Sequence, residues 1–94
     1  MRLIEEQMVG AIHNKACWSK DNTSVTYWEY NNRSDVCLYG HHIAQFDHTD
    51  GEMSANLNTL AAWPTNTTKS RLRALGVNVA TRKGVTYVDN KEVA

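Results

Sequence analysis

The segment His41-His42…Asp47-His48-Thr49-Asp50 is the one dense run of metal-type ligands in the chain. Zinc or a hydrolytic metal needs three or four ligands converging from rigid elements. The spacing argues against convergence. The paired histidines fall at a predicted turn and point to different sides. His48 and Asp50 fall in the next turn, at the other end of a predicted strand over residues 43–46, about 15 Å away. Exposed turn residues are the better reading, and His13 is further off on a predicted helix. A nucleophilic thiol fares no better. Cys37 alternates with Val36 and Leu38 inside a predicted strand, and Cys17 follows a helix end. Neither has the basic neighbours or helix N-terminus that lower a thiol pKa. The nucleotide-cradling motifs G-x-x-x-x-G-K-S/T and G-x-G-x-x-G do not occur. No enzyme activity and no cofactor are therefore expected.

Charge carries more information. Residues 53–88 hold Lys69, Arg71, Arg73, Arg82 and Lys83 and no Asp or Glu. Residues 1–52 hold four basic against eight acidic residues, so a net charge of zero divides into about −4 and +4. Such a split points toward a charged partner. Lys69 and Arg73 are four apart and share a face of a predicted helix over residues 67–75, while Arg71 points elsewhere. Arg82 and Lys83 sit at the tip of a following hairpin. If that tip lies near the helix, the five charges form one surface. Its helix N-terminus, with hydroxyls over residues 65–68, could add anion contacts. The competing reading is an ordinary solvated helix whose hydroxyls only cap it. Trp63 reads as a core anchor before Pro64.

A second candidate surface is aromatic. Residues 23–30 are rich in β-branched and aromatic types and read as a strand. Val25, Tyr27 and Glu29 share one face; Thr26, Trp28 and Tyr30 share the other. If Val25 and Tyr27 face the core, Trp28 and Tyr30 form an exposed aromatic face, a type of surface that binds proteins. The opposite choice buries Trp28 and exposes Tyr27.

These residues must be positioned by a short set of elements. Leu3, Ile4, Met8, Ala11 and Ile12 recur at helical spacing over residues 2–15, although Gly10 weakens that helix. The segment 18–22 is a connector, with Trp18 folded back on the core. Strands over 23–30, 34–39 and 43–46 make a meander with turns at Asn31-Asn32 and Gly40-His41. The turn 48–51 ends in Asp-Gly, and residues 53–60 extend the meander with a fourth strand. Pro64 ends that element, and Gly76 closes the second helix. Strands over 77–81 and 85–88 form a terminal hairpin, with a further turn at 89–91. The fold class is α+β: an N-terminal helix, a three- to four-stranded antiparallel meander, a second helix and a C-terminal β-hairpin.

Ninety-four residues make one small domain over residues 1–94. The hydrophobic fraction of 41% is slightly below the usual range of roughly 45–50%. A chain this short buries only about 60–65% of its extended surface, so its core is thin. A two-fold homodimer could complete such a core. Two cysteines without a C-x-x-C unit read as reduced cytosolic thiols. No signal peptide and no membrane-spanning segment is read from the sequence.

The order of motifs resembles a family of small accessory proteins encoded by tailed bacteriophages. The likeness is carried by Trp18 with Asn22-Thr23-Ser24-Val25 and by the run Val36-Cys37-Leu38-Tyr39-Gly40-His41-His42-Ile43-Ala44. It is carried above all by Trp63-Pro64-Thr65-Asn66-Thr67-Thr68-Lys69-Ser70-Arg71-Leu72-Arg73-Ala74-Leu75, with the ending Asp89-Asn90-Lys91-Glu92-Val93. The resemblance covers most of the chain. It implies a virus-encoded protein working in a bacterial host cytoplasm and brings no established activity with it. The leading expectation is a non-enzymatic protein that binds a host protein complex, as an inhibitor in host takeover or counter-defence. Its predicted contacts are Lys69, Arg71, Arg73, Arg82 and Lys83, with Trp28 and Tyr30 as secondary candidates. The second expectation is nucleic-acid binding through the basic helix and hairpin around residues 69–83, against which a near-neutral pI argues. The third is a small metal-dependent enzyme using the histidine-rich turns.

Overall fold

The computed structural model describes residues 2–93. Helix α1 (Leu3–His13) leads into a five-stranded antiparallel meander: β1 (Trp18–Lys20), β2 (Thr23–Trp28), β3 (Arg33–Leu38), β4 (His41–Asp47) and β5 (Glu52–Ala55). Helices α2 (Leu57–Ala62) and α3 (Asn66–Ala74) follow. A second antiparallel sheet closes the described chain with β6 (Val79–Arg82), β7 (Val85–Val88) and β8 (Lys91–Glu92). The class is α+β, as the sequence predicts.

The period-two alternation decides which sheet face is covered. Thr23 and Val25 of β2 pair with Leu38 and Val36 of β3, and all four are buried. Ala44 and Ile43 of β4 continue that layer past a register shift at Val36/Cys37, which lets two adjacent residues be buried. Met8, Ala11 and Ile12 of α1, Leu60 of α2 and Leu72 of α3 pack on this face. The helical spacing in α1 thus holds for Met8, Ala11 and Ile12, whereas Leu3 at its start is 62% exposed and Glu5, predicted off the apolar face, is buried.

Several predicted boundaries move, each for a local reason. The connector at 18–22 contributes β1, because Trp18 lies opposite Val25 and packs on the core. The turn after β3 centres on Tyr39 and Gly40, both at positive φ, rather than on Gly40-His41. The fourth predicted strand stops at Ala55. Asn56 accepts a hydrogen bond from the Thr59 N–H at 3.2 Å and starts α2, so residues 57–60 are helical. Thr65 caps α3 in the same way, its Oγ1 accepting from the Thr68 N–H at 3.1 Å. Gly76 (φ +92°) ends α3, with its N–H donating to Arg73 O and the Val77 N–H donating to Leu72 O, both at 3.0 Å. The turn at Asp89-Asn90 gives a third C-terminal strand where a hairpin with a further turn is predicted.

Candidate functional site

Two of the three basic residues of α3, Lys69 and Arg71, face inward rather than outward. Arg71 is 3% exposed. Its Nη1 donates to Glu5 Oε2 at 2.8 Å and its Nε to Thr23 Oγ1 at 3.0 Å, tying α3 to α1 and β2. Ser70 donates to the same Glu5 oxygen at 2.6 Å. Burial alone would raise the Glu5 carboxyl; the hydrogen bonds from Ser70, Arg71 and Arg2 outweigh it and hold the group below its ordinary 4.5. Lys69 is 7% exposed, and its Nζ donates to Thr81 Oγ1 at 2.6 Å across the contact between α3 and β6. Arg73 is exposed, but its Nε donates to Val79 O at 2.9 Å. Arg82 bonds Asn90 at 3.0 Å and lies over the Tyr87 ring at 5.0 Å. Lys83 alone of the five projects from a hairpin tip with no side-chain partner among the described residues.

The predicted five-charge surface therefore does not form. Long cationic side chains that look solvated in a sequence reach the carboxylate, hydroxyl and carbonyl groups that hold α3 between two sheets. No acidic residue within α3 signalled this, because the partner of Arg71 lies 66 residues away.

The histidines go to separate places. His41 stacks on Trp63 with ring centroids 4.3 Å apart. His48 sits at the covered side of the sheet, 2.8 Å from Ser34 Oγ and edge-on to Tyr27 and Phe46. Burial depresses its pKa below 6.5, with the charge of Lys15 adding to the effect, Asp47 opposing it and His13 adding again. His42 lies on the opposite sheet face. Its Nε2 is 3.2 Å from Asp35 Oδ1, and its Nδ1 is 3.0 Å from Asn56 Nδ2. Among the described residues no group of three or more His, Cys, Asp or Glu could hold a metal ion.

Cys37 is the cross-strand partner of His42. Both ring nitrogens of that histidine are engaged elsewhere, so it has no lone pair to take the thiol proton. Burial pushes the Cys37 thiol up, and the Asp35 charge pushes it further. The pair has the residue types of a nucleophilic dyad without its geometry or electrostatics.

The sheet face turned away from the helices is polar and open. Trp28, Arg33, Asp47 and Glu52 form one row across four strands, and Thr26, Asp35, Gln45 and Ser54 form the next. Asp35 is the hub. Its Oδ2 accepts from Trp28 Nε1 at 2.9 Å and from Arg33 Nη2 at 3.5 Å. Arg33 Nε lies 3.2 Å from Asp35 Oδ1 yet makes no hydrogen bond with it, so charge attraction holds that contact. Trp28 is 43% exposed and Tyr30 82%, with ring centroids 6.1 Å apart in an edge-on arrangement. The strand choice left open by alternation falls to Val25 and the core, which puts Trp28 outside; the predicted strand over 23–30 ends at Trp28, and Tyr30 is exposed in the turn that follows it.

A second aromatic cluster lies near the Tyr39-Gly40 turn. Tyr39 (72% exposed), His41 and Trp63 (50% exposed) surround a cleft of about 270 Å³ floored by Leu38 and Ile43. Trp63 is thus no core anchor. The fixed backbone of Pro64 and the cap at Thr65 turn the chain so that its ring lies against His41 instead. Tyr39 follows the buried Leu38 and is exposed, at a positive φ that begins the turn into β4.

No helix is long and apolar enough to cross a membrane among the described residues. Comparison with curated proteins finds no match, and comparison with solved structures finds none. The family model described as Kyanoviridae Gp96 protein matches residues 1–94, the full span of the sequence. The chain thus belongs to the Kyanoviridae Gp96 protein family, a family of phage proteins.

Proposed function

We propose that this phage protein is a non-enzymatic binding protein that engages a host macromolecule in the bacterial cytoplasm, most specifically a host or defence protein complex that it inhibits. The observation that carries the reading is the exposed Trp28–Tyr30 pair, its Trp28 indole fixed by the bond to Asp35 on a sheet face that no helix among the described residues covers. Large aromatics held rigidly in water at the surface lose little side-chain entropy on binding and dominate protein contacts. The surrounding row includes Asp47 and Glu52 against a single Arg33, which favours a partner with a basic rim.

Nucleic-acid binding through residues 69–83 has little support, because Lys69 and Arg71 are turned inward. A metal-dependent enzyme on the histidine-rich turns has less, because His41, His42 and His48 occupy separate sites.

The test is capture from a bacterial host lysate with tagged protein, half of it nuclease-treated. A stoichiometric host protein that survives nuclease and is lost with Trp28→Ala/Tyr30→Ala supports the reading. Recovery of nucleic acid alone, or of the same protein by the double variant, overturns it.

A further inference from the structure

The free edge of β5 faces a groove of about 310 Å³, lined on one side by Met53, Ser54, Ala55 and Leu57 and on the other by Val77, Val88 and Asp89. The register pairs Ser54 with Gln45, and the Asn56 N–H donates to Ile43 O at 2.7 Å. Antiparallel hydrogen bonds alternate along a strand. The backbone groups of Ser54 and Asn56 therefore point to β4, and those of Met53 and Ala55 point away from it into the groove. Among the described residues no protein group bonds the N–H or C=O of Met53 or Ala55 from that side.

Sheet edges are normally guarded by lysine, proline, a bulge or extreme shortness. The opposite edge, β1, has three residues and ends in Lys20. β5 has four residues and one charge, Glu52 at its start, and the three residues Met53-Ser54-Ala55 that line the groove carry no lysine, proline or bulge. Leu57 stands 48% exposed beside it. The far wall presents Val77 and Val88, and the one charged lining residue, Asp89, is acidic, as is Glu52 at the start of the strand.

We propose that the β5 edge is a binding site for an extended segment of a partner polypeptide, which adds to the sheet as a sixth strand. Outward N–H and C=O groups at two-residue spacing are matched by another extended backbone. The valine wall and Leu57 select apolar side chains at alternate positions of that segment. Asp89 and Glu52 select Lys or Arg flanking them. The site is three strands away from Trp28, shares only Glu52 with the row beside that residue, and stands whether or not that aromatic face contacts a partner.

The experiment pans a displayed library of random 12-residue peptides against the purified full chain. An enriched sequence is then synthesised and its affinity measured by fluorescence anisotropy. The expected peptide alternates apolar residues between basic flanks. Its affinity falls about tenfold or more on Ala55→Pro, which removes one outward N–H without touching the ladder to β4. It is unchanged by Trp28→Ala. Amide exchange at Met53 and Ala55 slows at least about tenfold when the peptide is added, a reading on the unaltered protein that stands even if the proline variant fails to fold. Failure to enrich any peptide overturns the proposal. So does a peptide that leaves both amides unprotected, or one lost with Trp28→Ala instead. A protein that sediments as a dimer and becomes monomeric on Ala55→Pro also overturns it, since a second copy would then occupy the edge.

Discussion

Arg71 and Glu5 meet at 2.8 Å between α3 and α1, with both side chains about 95% buried. A buried pair of this kind is satisfied only because its remaining sites are filled, here by Ser70, Thr23 and Asn22. Removing one partner strands the other charge away from water. Arg71→Met is expected to cost about 3–5 kcal/mol, read as a lower urea midpoint at unchanged slope. The double variant Arg71→Met/Glu5→Leu should recover part of that loss, because no lone charge is left. A single variant with wild-type stability would show that water reaches the pair.

Acid should weaken the fold in two separable stages. His48 has a folded pKa below its ordinary 6.5, so the fold holds it neutral and unfolding takes up a proton below that value. Its contribution is complete above about pH 6.5 and is lost as pH falls through the folded value. Glu5 has a folded pKa below 4.5, so the fold holds it ionised. Its contribution is complete above pH 4.5 and is lost as pH falls further. Urea unfolding of wild type from pH 7.5 down to 5 should show a declining midpoint that His48→Gln flattens. A decline of equal slope in that variant would assign the effect to groups other than His48.

Much of this architecture was legible in the chain. Alternation in residues 23–30 placed β2, and helical periodicity at Leu3, Ile4, Met8, Ala11 and Ile12 placed α1. What escaped was every feature set by a distant or three-dimensional partner. A cation run looks solvated until Glu5, Thr23 and Thr81 arrive from other elements. The alternation of Met53, Ala55 and Leu57 looked like a continuing strand, yet Asn56 is a helix cap by type and could have signalled α2. The turn falls on Tyr39-Gly40 rather than Gly40-His41 because Tyr39 takes a left-handed backbone conformation that a tyrosine seldom adopts. For the surface candidates, sequence offered two faces of one strand, and only packing of Val25 against Val36 chose between them.

Lys69 supplies a direct contrast between surface and interior readings of α3. Its ammonium reaches Thr81 at 2.6 Å from a nearly buried position. Charge reversal there places an unpaired carboxylate beside a hydroxyl in the α3–β6 contact. Lys69→Glu should lower the thermal midpoint by several degrees, on the order of 2 kcal/mol. Lys83→Glu, at an exposed tip, should change it by less than about 0.5 kcal/mol. Equal, negligible effects from both would return Lys69 to the surface.

Gly76 should tolerate no side chain well, although space is open around it. A Cβ there meets nothing within 4 Å, so any cost comes from its φ of +92° alone. Gly76→Ala is expected to cost about 1–2 kcal/mol, measured by urea unfolding. Gly10→Ala, in the middle of α1 and also without a neighbour within 4 Å, should instead stabilise by about 0.5–1 kcal/mol. The opposite signs of two identical substitutions separate backbone conformation from packing.

Asp35 is expected to act on binding through Trp28 rather than by touching a partner. Its carboxylate accepts the indole N–H at 2.9 Å and gathers Arg33 and His42 around it. Asp35→Ala removes that anchor and leaves the Trp28 ring free to rotate about its side-chain bonds. With 5-fluorotryptophan incorporated, one of three fluorine resonances should move and narrow while the other two stay in place. Partner capture should fall several-fold, less than with Trp28→Ala, because the ring remains but must be ordered on binding. Thermal unfolding should shift by only a few degrees, since the row is solvent-facing. Capture unaltered by Asp35→Ala but abolished by Trp28→Ala would mean that the ring needs no fixing. Capture unaltered by either would move the contact off this face altogether.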